Sequence, residues 1–190
     1  MTNTNVKQEL FIGLVGAVGT DLHKLSQIIK KELIEVSYNA HEISLSSLME
    51  QAEKSGKLKE SRASDLEHVR IQKFINAGNK LRKLGKNGDT VALLAIEQIR
   101  QLREQNGNSQ TSPAYQNAYI INSLKHPDEI RRLRSIYGES FITISLYSPK
   151  HIRADRLRDT ILRENNVEKP EDIENLLNKL MDNDENAEVE

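Results

Sequence analysis

Three glycines spaced three apart, Gly13, Gly16 and Gly19, are the residues of this chain best placed to hold an anion. They come after an apolar run and open into an amphipathic one, so Phe11 to Leu22 reads as strand, Gly-rich turn and helix. Glycine lets the backbone take positive φ and approach a ligand closely. The amides of such a turn, together with the positive end of the helix behind it, form an anion site. On this reading Gly13, Gly16, Ala17, Val18, Gly19, Thr20 and Asp21 surround a phosphate, Thr20 through its hydroxyl. The alternative is a tight strand-to-helix turn capped by Asp21, with no ligand.

The chemistry such a turn could support depends on the residues at the start of its helix. The phosphate-transferring pattern is G-x-x-x-x-G-K-[ST], with the lysine on the phosphates and the hydroxyl on Mg²⁺. Against the form G-L-x-G-x-x-G-S-G-K-S, Thr20 matches the first serine, but Asp21 stands for glycine, Leu22 for lysine and His23 for the hydroxyl residue. Lys24 comes two residues too late for the same role. A carboxylate at this helix start caps N–H groups itself and repels phosphate. The cations that could compensate lie elsewhere. Arg70 and Arg82 sit twelve residues apart in one helical segment, with Asn79 between them able to read a base edge. Lys125 could reach the turn from across a cleft. No catalytic residue is assigned.

The 190 residues carry a net formal charge of −1, unevenly spread. Residues 171–190 hold eight acids and one base, leaving 26 basic against 20 acidic residues in the remainder. That mild excess fits a phosphate-bearing partner and is too weak to argue for duplex DNA. There is no cysteine, hence no disulfide and no thiolate zinc site, and the five histidines show no ligand spacing. No metal site made by protein alone is expected; Mg²⁺ would arrive only with a nucleotide. Apolar runs are too short to span a membrane, and the polar first residues do not form a signal peptide, so a cytoplasmic location is expected.

The elements that must position these residues alternate. A strand is expected over 9–15, a helix over 21–34, a strand around 38–44 and a short helix at Leu48 and Met49 capped by serines. Residues 52–65 read as a loop, an exposed helix or a mobile flap. Helices come next over 66–84, ended by glycine, and 90–105. A strand at 118–123, a helix from Pro127 to Tyr137, a strand at 141–147 and helices from Pro149 and Pro170 complete the chain. In the helix over 66–84, Gly78 points to close packing or a ligand contact. Strands alternating with helices predict a three-layer α/β/α fold, P-loop-like, with a mainly parallel sheet and its ligand site beyond the carboxyl ends of the strands. The expected organisation is a flexible N-terminus (1–8), a nucleotide-binding domain (9–165), a C-terminal helix (166–181) and an acidic disordered tail (182–190).

Three segments in order resemble small P-loop kinases of nucleotides: the glycine turn, Arg70 to Arg82 with its R-x-Q…G-N-x-L-R pattern, and Asn122 to Ile130 with Phe141–Pro149 and Arg153 after it. The resemblance implies that Arg153 and Arg156 stand where those kinases carry lid arginines. More narrowly, G-L-V-G-x-V-G-T-D-L with S-L-K-H-P-x-E and L-R-x-I-Y-G-x-x-F is similar to the N-terminal domain of bacterial anti-phage dCTP/dCMP deaminases, over about residues 7–180. That resemblance implies a nucleotide-kinase-like regulatory or sensing domain that takes ATP or a deoxynucleotide. It implies a deaminase domain or a second copy as partner, leaves RNA open, and places the whole protein in antiviral defence by draining deoxycytidine nucleotides. The deaminase half needs H-x-E and P-C-x-x-C around zinc. Neither occurs here, so these 190 residues cannot deaminate. Leu22 for lysine, and Asn122 where the kinases carry Asp, argue against phosphoryl transfer. A stand-alone monophosphate kinase using Lys125 or an arginine, and a ligand-free interaction module, are the alternatives.

Overall fold

The computed structural model describes residues 7–54, 66–163 and 170–185, with side chains for all but 53, 54 and 170–172. The expected flap falls outside them from residue 55 on, as do residues 1–6 and the end of the expected tail, 186–190.

Four parallel strands form one sheet in the order β2-β3-β1-β4. β1 (Leu10–Val15) lies between β3 (Asn117–Leu124) and β4 (Phe141–Ser145), and β2 (Asn39–Ser44) is the opposite edge. β1 is apolar on both faces because both are covered. Ile12 and Leu14 meet Leu22 and Leu33 of α1 (Leu22–Glu35) on one side. Phe11 meets Val91, Ala95 and Ile99 of α4 (Thr90–Gln105) and Leu133 of α5 (Pro127–Tyr137) on the other. α2 (Leu45–Lys54) continues from β2 without a gap, its first turn capped by Ser44 Oγ, which accepts from Ser47 N–H. The doubly wound α/β architecture read from the sequence is the one observed.

α3 (Glu67–Gly85), α6 (Lys150–Arg163) and α7 (Pro170–Glu185) stand apart from the sheet. Leu157 and Ile161 of α6 pack on Ile173, Leu177 and Met181 of α7, with Ile71 of α3 and Val18 of the glycine turn alongside. Three expectations need correction here. The last helix does not stop at Met181 but runs to Glu185, because its acidic final turn finds partners on the glycine turn. Lys7, expected in a flexible lead-in, has its carbonyl bonded by Gln116 N–H at 2.9 Å. And the left-handed residue that stops α3 is Lys86 (φ 50°), not a glycine. Gly85 is needed for space instead: a Cβ there would collide with Thr90 Oγ1.

Candidate functional site

The turn between β1 and α1 forms the floor of a cleft of about 700 Å³ at the carboxyl end of the sheet. α2 and α3 make one wall and α6 the other. Thr20 N–H donates to Ala17 O at 3.0 Å, which closes the turn on itself. Asp21 Oδ1 accepts from Lys24 N–H at 3.0 Å, so Asp21 is the cap that its position suggested. Leu22 is 7% exposed, packs in the core under α1 and adds an apolar edge to the cleft, so no cation stands at the position read as the missing lysine.

A cation reaches the turn from β3 instead. Gly13 of β1 pairs with Ile121, but Val15 pairs with Leu124, so β3 carries one extra residue at Asn122–Ser123. Ser123 takes φ 74° to make this bulge, a device that re-aims side chains near sites. Asn122, Ser123 and Lys125 line the cleft as a result. Lys125 Nζ donates to Gly16 O at 2.9 Å. Two oxygens of the cleft lining, Thr20 Oγ1 and Asn122 Oδ1, are buried without a hydrogen-bond partner among the described residues, a condition that calls for an explanation such as a water, ion or ligand.

A carboxylate already occupies the turn. Asp184, in the last turn of α7, accepts from Val18 N–H at 2.6 Å and lies 2.8 Å from Lys125 Nζ. Beside it Glu185 accepts from Arg153 Nη2 at 2.8 Å. The Arg153 hydrogen bond, opposed by burial and aided by Lys150, holds the Glu185 carboxyl below its ordinary range.

The remaining candidates divide. Gly16, Ala17, Val18, Gly19, Thr20, Asp21, Arg70, Asn79, Arg82 and Lys125 all line the cleft. Gly13 does not: it sits within β1, where a Cβ would meet Leu124 Cδ1 at 2.7 Å, so packing explains it. Arg153 lies behind the turn, donating to Val18 O at 3.1 Å and Ser148 O at 3.2 Å. Gly19 (φ 82°) permits that approach, since a Cβ would fall 2.7 Å from the Arg153 carbonyl oxygen. Arg82 lines the cleft but is committed to Glu129 Oε1 (2.7 Å) and Asn79 Oδ1 (3.1 Å). Arg70 is bound by Glu67 and lies over the Phe74 ring.

Sequence reasoning missed Asp184, placed in the expected tail, and Arg163. The latter shares one face of α6 with Arg156, Asp159 and Thr160 and lines the cleft. The i, i+3, i+4, i+7 spacing of these four was the available signal. Among the described residues neither the Arg156 nor the Arg163 guanidinium has a partner. No three histidine or acidic side chains among those residues lie together as a metal site, and no described helix is long and apolar enough to cross a membrane.

No known family profile matches the chain, and no curated protein matches it. Among solved structures, the crystal structure of a DNA replication initiation factor aligns with 88% of this chain and 49% of its own, at 15% identity and a TM-score of 0.35. The chain thus spans about half the length of that structure, and so remote a likeness bears on neither ligand nor activity.

Proposed function

We propose that this chain is a nucleotide-binding regulatory domain, related to that of the anti-phage deoxycytidine nucleotide deaminases, that holds its ligand without transferring phosphate. The observation that carries the reading is the cleft itself. A glycine turn forms its floor, Lys125 reaches the turn, and the unpaired Arg156 and Arg163 face the same space. The floor suits phosphate through backbone amides and a cation. The wall of α3, with Phe74, Ile75, Gly78 and Asn79, offers an aromatic face and an amide to a base. The volume is that of a small-molecule site.

The same geometry speaks for binding over catalysis. Phosphoryl transfer needs cations on the transferred group and an acid that holds the metal. Here Leu22 is core, Asn122 is neutral, and Arg82 is tied to Glu129. The free oxygens at the turn, Thr20 Oγ1 and Asn122 Oδ1, are uncharged. They fit a hydrated Mg²⁺ carried in by a polyphosphate better than a resident ion.

Calorimetric titration of the chain with ATP, dCTP, dCMP and dTTP, each with Mg²⁺, tests the reading. Saturable binding of a deoxycytidine nucleotide is expected, weakened at least tenfold in Lys125→Ala, with no phosphate transfer. Flat traces for all four would remove the nucleotide and leave an interaction module.

A further inference from the structure

Asp184 is seated on the glycine turn. Its Oδ2 accepts the Val18 N–H of the turn at 2.6 Å, and its Oδ1 lies 2.8 Å from Lys125 Nζ, the cation that reaches the turn from β3. The side chain is 6% exposed, so it is seated and not merely nearby. Glu185 extends the contact to Arg153, which itself holds the turn through Val18 O. Lys150 stands 3.9 Å from both Asp182 and Glu185.

The helix that delivers these carboxylates gains nothing from them internally. Asp182, Asp184 and Glu185 lie in the last turn of α7, which holds no base. That is the negative end of the helix macrodipole, where acids are disfavoured. The final turn is therefore held by what it touches across the fold. The body of α7 is held differently, by Ile173, Leu177 and Met181 against α6, while within the last turn Asn183 Nδ2 also donates to Gln72 at 2.8 Å.

We propose that the last turn of α7 is a pseudo-ligand latch: the Asp184 carboxylate fills the anion site of the glycine turn and must be displaced before a phosphate-bearing ligand can bind. The inference rests on the cleft being a nucleotide site and adds its regulation. A polyphosphate competes for the same amide and the same lysine. Once it takes them, Asp184 loses its partners and meets like charge, so the turn opens against the remaining hold of Arg153, Lys150 and Gln72 while the apolar part of α7 stays packed. The affinity of the closed chain is reduced by the fraction of molecules in which the latch is open. Whatever binds the released Asp182–Glu185 turn raises the affinity for the ligand by the same factor, since coupling is reciprocal.

The test uses the full chain as wild type, Asp184→Ala and Asp184→Asn, titrated calorimetrically with metal-free sodium triphosphate and with dCTP and Mg²⁺. Asp184→Ala should bind triphosphate at least tenfold more tightly than wild type, with Asp184→Asn between them. In wild type, triphosphate should also speed amide exchange at residues 181–185, a readout that stands if a variant fails to fold. Equal affinity in all three forms, with unchanged exchange, would overturn the latch and leave the nucleotide site standing. Weaker binding by Asp184→Ala would overturn it by making the carboxylate part of the ligand's own contacts. Failure of every form to bind either probe would remove the site and the latch together.

Discussion

Glu129 shows how much of this site depends on one side chain that touches no ligand. It is fully buried, and its Oε1 accepts from Arg82 Nε and Nη2 while its Oε2 accepts from Lys125 N–H and His126 N–H. It therefore closes the capping box of α5, ties α3 to that helix, and fixes the backbone of the lysine that reaches the glycine turn. Removing one partner of a buried pair leaves the other charge uncompensated. Glu129→Ala should cost about 3–5 kcal/mol of stability by that reasoning. Urea denaturation checks it, and a loss below about 1 kcal/mol, the value of an exposed pair, would mean the clamp is not holding. At this scale the sequence was half legible. The replacement of lysine by Leu22 and the cap at Asp21 could be read from spacing alone. That Arg82 faces a buried acid 47 residues further on could not, because its partner is chosen by the packing of α3 against α5 and not by either local pattern.

At the scale of elements, glycines with similar sequence settings carry different duties. Gly78 is buried in the middle of α3, yet a Cβ there would rest 3.4 Å from Arg82 Nη1, an ordinary contact. Gly78→Ala should therefore stabilise the chain by roughly 0.5–1 kcal/mol through helix propensity, seen as a raised melting temperature. It would also narrow the cleft, so nucleotide binding should weaken in the same variant. A fall in melting temperature would show that α3 packs more tightly there than these distances allow. The helices and strands were legible because period 3.6 and apolar runs declare themselves. The bulge in β3 was not, since Asn122 and Ser123 carry no bulge signal and the extra residue exists only relative to β1. The end of α7 was misread for a related reason. Acids at a helix C-terminus look unsuited to structure until their partners, Val18, Lys125 and Arg153, are brought in from other elements.

For the molecule as a whole, the core under α4 and α5 sets the alkaline limit. Burial, moderated by Arg103 and reinforced by Glu9, pushes the Tyr137 hydroxyl up to about 12, and burial raises Tyr119 further. The unfolded chain ionises these tyrosines near the ordinary value of about 10. Their contribution to stability is therefore complete below about pH 10 and is lost as the pH rises through about 12. Melting curves from pH 8 to pH 11.5 should show that decline, and Tyr137→Phe, which keeps the ring stacked on Phe11, should flatten part of it. Equal slopes in the two proteins would assign the decline elsewhere. The contact between Val18 and Asp184 spans 166 residues of chain, and this has a consequence for the protein's first moments. Lys125, the cation that completes the site, precedes Asp184 by 59 residues, so at ribosomal rates of about 5–20 residues per second it is made roughly 3–12 s before the carboxylate that it pairs with. On the proposed latch, the growing chain passes through an interval in which the turn has no internal acid to fill it, and only the finished chain has to exchange that acid for a ligand.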